Sequence, residues 1–565
     1  MTSIDWIVLF GTLFFIVAYG VWKTKGSKNI EGYLLGDKSL KWWTIGLSVM
    51  ATQASAITFL STPGQAFEDG MRFLQFYLGL PLAMVILSIT AIPIYYRLKV
   101  YTAYEYLESR FDLKTRSLAA FLFLIQRGLG AGITIYAPAI ILSTILGWTL
   151  TTTVLLIGIL VIIYTVSGGS RAVSQTQKQQ MAIMMGGMIL AGIMVVHYLP
   201  EHVSFGDAVK VAGKMGKMNL VSLEFNLSDR YNIWSGLIGG MFLALSYFGT
   251  DQSQVSRYLG GKSIAESRLG LLFNGLLKVP MQFLILFIGV MVFVFYQFTM
   301  PPVFFNQSAR VLLDDTPAKD RIELLEKKHV EIYNQKKSAV NDLIIAMREG
   351  NKPAEQQSIS TINSALEESK EIKTEISGIV EEQLPGSNPR DTDYVFITFV
   401  MENLPVGLVG LILAVIFSAA MSSSSSELNA LSSTMTVDIY KRSIKKTASE
   451  RHYLNSSKLF TLMWGLFAIG FALFATQLEN LIQAVNIIGS IFYGTILGIF
   501  LAAFYFRKIR SNAVFYAALV AQLVVLYCYF MTDIAFLLYN IIGCVLVVAL
   551  GYLFEIFISR GKVTK

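Results

Sequence analysis

The sequence predicts an all-α, polytopic membrane protein, and three observations carry that prediction. Of its 565 residues 54% are hydrophobic, 13% aromatic and only 15% charged, with a mean hydropathy of +0.55; a soluble domain carries about a quarter charged residues. Apolar runs of roughly 20 residues, enough for a helix to cross a ~30 Å hydrocarbon core, recur along most of the chain. The ten-residue alternating segments of a membrane barrel do not occur.

Thirteen helical spans are predicted, near 4–22, 43–67, 73–96, 117–146, 150–166, 179–198, 233–256, 269–297, 405–438, 456–475, 479–505, 512–531 and 534–558. Every second loop is basic: "KTKGSKNIEGYLLGDKSLK", "RLKVYTAYEYLESRFDLKTR", "GGSRAVSQTQK", "SRYLGGKSIAESR", "YKRSIKKTASERHYLNSSK", "FRKIRSN" and the tail "SRGKVTK". The short loops between them, "EDGMR", "GWT", "TQLEN" and "MTD", are nearly free of Lys and Arg. The positive-inside rule then places the N-terminus outside and the C-terminus inside; the location expected for the multi-pass chain is the plasma (inner) membrane. Trp6, Trp22, Trp42, Trp43, Trp148 and Trp234 fall at predicted span ends, where an aromatic belt belongs. The net charge of +8 is accounted for by these basic cytoplasmic loops and calls for no nucleic-acid partner.

The domains expected are 1–41, an extra helix and cytoplasmic loop; 42–198, a first repeat; 199–232, an external loop; 233–299, the start of a second repeat; 300–395, an insertion; 396–505, the remainder of the second repeat; and 506–565, two closing helices. The insertion is rich in Glu and Lys and reads as an external helical hairpin, 317–349 and 354–383, broken at "EGNKP". Leu324, Leu325, Val330, Ile332, Leu343 and Ile344 supply its apolar stripe. It is either a solvated spacer or a docking surface for a protein partner.

Several function classes are set aside. Cys528 and Cys544 both lie in apolar spans, and four scattered histidines offer no ligand spacing. No nucleophile motif or carboxylate pair is evident in the spans, so an enzyme is not expected, and no filter-like repeat suggests a channel. Lys565 lies seven residues beyond the last predicted span, leaving no room for a fused signalling domain.

Two spans are polar at mid-depth: "MATQASAITFLSTPGQ" (50–65) in the second and "SYFGTDQSQ" (246–254) in the seventh. Each opens a block of five helices. Interrupted spans at matching places in two halves point to inverted-repeat transporters, whose freed carbonyls hold cations at the midplane. The alternative is a helix interface packed on small residues. A third segment, "SAAMSSSSSELNALSSTMTVDIYKR" (418–442), follows an apolar run without a break. On a helix Ala419, Ser422, Ser423 and Ser426 share one face. Hydroxyl and carbonyl oxygens are hard donors suited to an alkali cation. Back-bonding to the helix itself is the competing use, expected for Ser424 and Ser425.

These stretches, with "IIYTVSGGSRAV", "LKVYTAYEYLESRF", "GTDQSQVSRYLGGKSIAES" and "VNIIGSIFYGTILGIFLAAF", resemble the sodium:solute symporter family over nearly the whole chain except 300–395. The resemblance implies a LeuT-like five-plus-five inverted repeat, with one helix before it and two after. It implies sodium-coupled import of a small polar solute, with Na+ held by the carbonyls of Ala51, Ala54 and Ala419 and the hydroxyls of Ser422 and Ser423. Tyr247 matches the aromatic that gates the solute cavity, with Phe248 beside it; Ser55 and Thr58 match solute contacts on the first core helix. The sugar carriers' polar set is largely missing: Ile57 and Thr58 replace an acid–amide pair, Tyr77 a glutamate with Gln75 nearby, Gly489 a glutamine and Gly130 a polar contact. Only Lys278 survives. Gln177 stands where several relatives have an aspartate associated with a second sodium, which implies a single coupled ion.

Arg127 lies deep in the predicted third core helix, where an arginine costs about 2.5–3.5 kcal/mol and faces a cavity or a counter-charge. With Ser55 and Thr58 it suggests an anionic group on the solute, an organic acid or a sialic-acid-like compound; the sialic acid carriers have a carboxylate-binding arginine one turn away. A structural arginine paired with backbone or snorkelling inward is the other reading. A sugar or inositol symporter, or a sodium-independent exchanger, are the alternatives on function.

Overall fold

The computed structural model describes residues 1–23, 40–98, 100–384, 387–474 and 481–563. The predicted loops 24–41 and 476–480, and the end of the basic tail, lie largely outside them, as does the side chain of Trp22. The described residues are helical almost throughout, with one isolated bridge between Leu40 and Gly261.

The helices run α1 (Ser3–Lys23), α2 (Trp42–Gln53), α3 (Ala56–Asp69), α4 (Leu80–Ile89), α5 (Ala91–Leu98), α6 (Ala103–Arg110), α7 (Leu113–Leu146), α8 (Leu150–His197) and α9 (Phe205–Lys214). The second half holds α10 (Gly240–Thr250), α11 (Gln252–Leu259), α12 (Ile264–Phe298), α13 (Gln307–Leu312), α14 (Lys319–Glu349), α15 (Lys352–Gln383), α16 (Val395–Asn403) and α17 (Leu408–Thr434). α18 (Glu450–Ala472), α19 (Leu481–Tyr505), α20 (Ser511–Met531) and α21 (Phe536–Val563) complete the chain. Among the described residues eight helical stretches are long and apolar enough to cross a membrane, and Ser3–Ile16, Leu150–Ile163 and Ser235–Thr250 are shorter apolar helices. Trp42, Trp43, Trp148 and Trp234 are each 38–46% exposed, as belt residues are.

Both polar spans are interrupted. α2 ends at Gln53, Ala54 leaves the helix (φ −80°, ψ 76°), and Ser55 is extended (φ −78°, ψ 174°) before α3 begins. In the second half Asp251 is extended (φ −77°, ψ 119°) between α10 and α11. Neither break contains glycine or proline. Polar side chains compete there with the helix ladder, and Asp251 caps α11 by accepting from Ser253 N. α3 packs on α12 and on the turn 392–394 through missing side chains: a Cβ on Gly289 would stand 2.2 Å from the Pro63 carbonyl oxygen, and one on Gly64 2.1 Å from that of Thr392.

One boundary differs from expectation. The predicted loop "GGSRAVSQTQK" does not interrupt the helix; α8 runs 48 residues without a break. Two glycines cost a helix only about 1 kcal/mol each, and no proline intervenes.

The 300–395 segment is a helical hairpin, α14 and α15, turning at Gly350 (φ +71°) with Asn351 capping α15. Leu325, Ile332, Leu343 and Ile344 are buried, whereas Leu324 and Val330 are 67% and 38% exposed. The true seam instead takes Ile322, Ala365, Ile372, Ile376 and Val380. The hairpin is pinned near its root by Lys373, which pairs with Glu68 and Asp391 at 2.7 Å each, and near its turn by Arg348–Asp207 and Lys214–Glu355, also 2.7 Å.

Candidate functional site

The break in the first polar span releases oxygens. Ser55 N, which would close the helical bond on Ala51, goes to the Gln53 carbonyl instead (3.0 Å). Thr58 N, which would serve Ala54, goes to the Ser55 carbonyl (3.0 Å). The carbonyls of Ala51 and Ala54 therefore lose their ordinary helical partners. α17 lies against this break: Ser423 Oγ donates to the Thr52 carbonyl at 3.3 Å. Ala419, Ser422 and Ser423 are all buried on α17.

Gln177, on α8, joins the two elements. Its Nε2 donates to Thr52 Oγ1 (3.1 Å) and Ser422 Oγ (3.0 Å), and its Oε1 accepts from Ser48 Oγ. The remaining serines divide their work. Ser425 and Ser426 donate to the Ser422 carbonyl at 3.3 and 2.8 Å, and Ser426 also accepts from Arg257. Ser424 Oγ is buried without a partner, so the back-bonding expected of it does not form.

Beside this cluster lies a cavity of about 80 Å³. Thr52, Gln53, Ser55, Ile57 and Thr58 line it from the first break; Gln126, Arg127 and Thr134 from α7; Tyr247 from α10; Glu427 from α17; and Tyr493 and Asn486 from α19. That volume is below the roughly 300 Å³ at which ligand pockets begin, so the cavity is contracted. Tyr247 and Tyr493 pack ring to ring at 5.9 Å, and the Arg127 guanidinium sits 5.3 Å from the Tyr247 ring centre. Gln254 donates to the Tyr247 hydroxyl at 2.6 Å.

Both terminal nitrogens of Arg127 are engaged, and its Nε is buried without a partner. Its Nη2 pairs with Asp251 and donates to Tyr493 Oη (2.6 Å), while Nη1 pairs with Glu427 at 3.0 Å. Both carboxylates were missed by sequence reasoning, which found no acidic pair in the spans. They are 176 residues apart and meet only because the broken α10–α11 and α17 converge on α7. A signal was available: an acid at mid-depth in a span is costly and needs a partner.

Other expected solute contacts lie elsewhere. Gln75 is committed to the 199–232 segment, donating to the Tyr231 carbonyl (2.7 Å) and accepting from Ser222 N (3.1 Å). Lys278 is fully buried on α12 with its Nζ 5.8 Å from the Tyr77 ring centre and does not line the cavity. Phe248 packs behind Tyr247, and Gly489 faces the ring of Tyr493.

A helix broken at mid-length in each half, oxygens released beside a hydroxyl-lined helix, and a small cavity carrying polar side chains next to them together define an ion-coupled secondary transporter. The profile of the sodium:solute symporter family matches residues 33–318 and 373–521, and the chain belongs to that family. The unmatched stretch between them falls within the hairpin. The sodium/sialic acid symporter SiaT of Proteus mirabilis (strain HI4320) is 26% identical over 554 residues, 97% of this chain and 94% of SiaT. The human sodium/iodide cotransporter is 33% identical over 276 residues, 48% of this chain and 42% of its own. A solved structure of a Na+-coupled sialic acid symporter, in a substrate-bound outward-open state, superimposes with a TM-score of 0.75 at 25% identity and 98% coverage of both chains. The protein is thus a multi-pass membrane symporter driven by Na+, and not an enzyme.

Proposed function

We propose that this chain imports a small organic solute with an acidic group, together with one Na+, by alternating access through a LeuT-like five-plus-five repeat. The loop charges support an outside N-terminus and an inside C-terminus for this multi-pass chain, which we place in the plasma membrane. Sodium is held by the carbonyls of Ala51, Ala54 and Ala419 and the hydroxyls of Ser422 and Ser423. The observation that carries this assignment is the loss of helical partners at Ala51 and Ala54, directly where Ser423 meets the break. Gln177 fills the neighbouring space with an amide hydrogen-bonded to three hydroxyls, which supports a single ion.

Ser55 and Thr58 contact the solute, and its acidic group lies at the N-terminus of α3, where unpaired N–H groups favour an anion. Arg127 holds the cavity wall through Asp251 and Glu427. Tyr247 is the gate: sodium ties the break to α17, solute enters, and Tyr247 moves as the inner side opens. Of the remaining positions matched by resemblance, Phe248 supports Tyr247, whereas Gln75, Lys278 and Gly489 are assigned no contact.

One sodium suffices for a solute of zero net charge. A 100 mV potential contributes about 2.3 kcal/mol per charge, and a tenfold sodium gradient roughly 1.4 kcal/mol more. The sum supports accumulation of a few hundred-fold, whereas a monoanion forfeits the electrical part and reaches about tenfold.

The test is Na+-stimulated solute uptake into proteoliposomes by Ser423→Ala. Loss of sodium stimulation, or a half-saturating Na+ concentration raised at least tenfold, is expected; unaltered sodium dependence would remove the ion site from this location.

A further inference from the structure

Arg127, on the cavity wall, faces two carboxylates: Glu427 on the same wall and Asp251 behind it. Asp251 is fully satisfied: Oδ1 accepts from Ser253 N (2.9 Å) and Ser253 Oγ (2.6 Å), and Oδ2 accepts from Tyr493 Oη (2.8 Å) and Arg127. Glu427 is not. Its Oε1 takes Arg127 at 3.0 Å, but its Oε2 is buried and unpartnered, the neighbouring Thr134 hydroxyl donating to the Gly130 carbonyl at 3.1 Å. Two more buried oxygens on the same cavity, Oε1 of Gln126 and Oε1 of Gln53, likewise receive none. Lys278, which does not line the cavity, is no counter-ion for Glu427.

A buried polar atom without a partner is rare in a folded protein, and a buried carboxylate oxygen is the most costly kind. Four such atoms belong to residues on this cavity: one donor, Arg127 Nε, and three acceptors, one of them on the unbalanced charge; the three acceptors describe a receptor for a positively charged donor. An ammonium group offers three N–H donors and a full charge, matching this set in number and sign.

We propose that Glu427, with Gln126 and Gln53, receives an ammonium group of the transported solute. Resting on the symport reading above, this makes the solute an amino-bearing compound, a zwitterion when it also carries the acidic group placed at α3. A zwitterion has no net charge, so the membrane potential acts on the co-transported sodium alone. It also removes the conflict between an acidic solute and a single coupled ion.

The test uses the purified full-length chain and thermal shifts in NaCl and in KCl. The probes are the twenty protein amino acids, N-acetylneuraminic acid, and hydroxy acids matched to amino acids: lactate to alanine, glycerate to serine, 2-hydroxyglutarate to glutamate. At least one amino compound should stabilise the protein in Na+, at least tenfold more tightly than its hydroxy counterpart. Glu427→Gln should erase that preference while the shift produced by Na+ alone persists, which shows the variant is folded; Glu427→Asp should retain a reduced preference. Binding of hydroxy acids or N-acetylneuraminic acid with no amino compound bound overturns the proposal. So does a Na+ shift with no amino compound bound, or an amino-to-hydroxy ratio unchanged in Glu427→Gln. A Na+ dependence whose slope falls from two to one in Glu427→Gln overturns it in favour of a second ion. If Na+ produces no shift over K+ in the unmodified protein, the sodium reading beneath it fails as well.

Discussion

Replacing Arg127 by Gln leaves Asp251 and Glu427 facing each other across a buried site with no cation between them. Stripping one partner from a buried ion pair costs about 3–5 kcal/mol, because the remaining charge is neither hydrated nor balanced. Here two charges are left, so Arg127→Gln belongs at the upper end of that range. The structure also predicts how the loss is repaired. Asp251 keeps the Ser253 and Tyr493 donors, and an asparagine there retains an acceptor oxygen for Ser253 while its amide NH2 can donate to Tyr493 Oη. A glutamine at 427 fits the same volume without charge. The triple variant Arg127→Gln/Asp251→Asn/Glu427→Gln has no ionised group at the site and should recover most of the loss, ending within about 1.5 kcal/mol of the parent. Glu427→Gln alone, which removes only the surplus charge, should be neutral or stabilising. Reversible unfolding of the purified protein in mixed detergent–SDS micelles gives the four free energies. A triple variant as unstable as Arg127→Gln would show that the three side chains are not an electrostatic unit.

Two further outcomes are expected. Lys336 is buried on the hairpin beside Tyr333, and burial holds its ammonium down to about 8 from the ordinary 10.5. The unfolded chain then binds the extra proton between those values, so hairpin stability should rise from pH 8 to 10.5 and stay flat below; Lys336→Met should raise the thermal midpoint at pH 7 by the equivalent of at most about 3 kcal/mol and abolish the alkaline rise. Gly289→Ala places a methyl 2.2 Å from the Pro63 carbonyl oxygen. It should cost about 1–3 kcal/mol by overpacking, whereas Gly186→Ala, with nothing within 4 Å, should leave the midpoint unmoved.

Much of the ion-binding region was legible because it is built from local signals. "TQASA" and "GTDQS" are short polar stretches in otherwise apolar spans, and a break is the local answer to that composition. The serine run reads as a helix face for the same reason. The charge network was not legible, since it is long-range: nothing near Arg127 in sequence shows that Asp251 and Glu427 will reach it. Arg127 alone looks like an anion receptor, and only the fold shows that both its terminal nitrogens are already paired with carboxylates. Gln75 fails similarly, its amide being claimed by a loop more than 140 residues away. The unbroken α8 is a different case, in which loop-like composition was overridden by a ladder that two glycines are too weak to stop.

The hairpin also offers a practical opening. Each of its helices is about 46 Å long, and salt bridges fasten it at root and turn to α3, α9 and the chain just before α16. It must therefore ride with those elements when they shift. The only two thiols, Cys528 and Cys544, are 8% and 2% exposed, so Leu324→Cys, at a position 67% exposed, would accept a fluorophore in an otherwise native background. Light emitted from that site would let single molecules be watched through their cycle, a vantage rarely available on a carrier otherwise sunk in lipid.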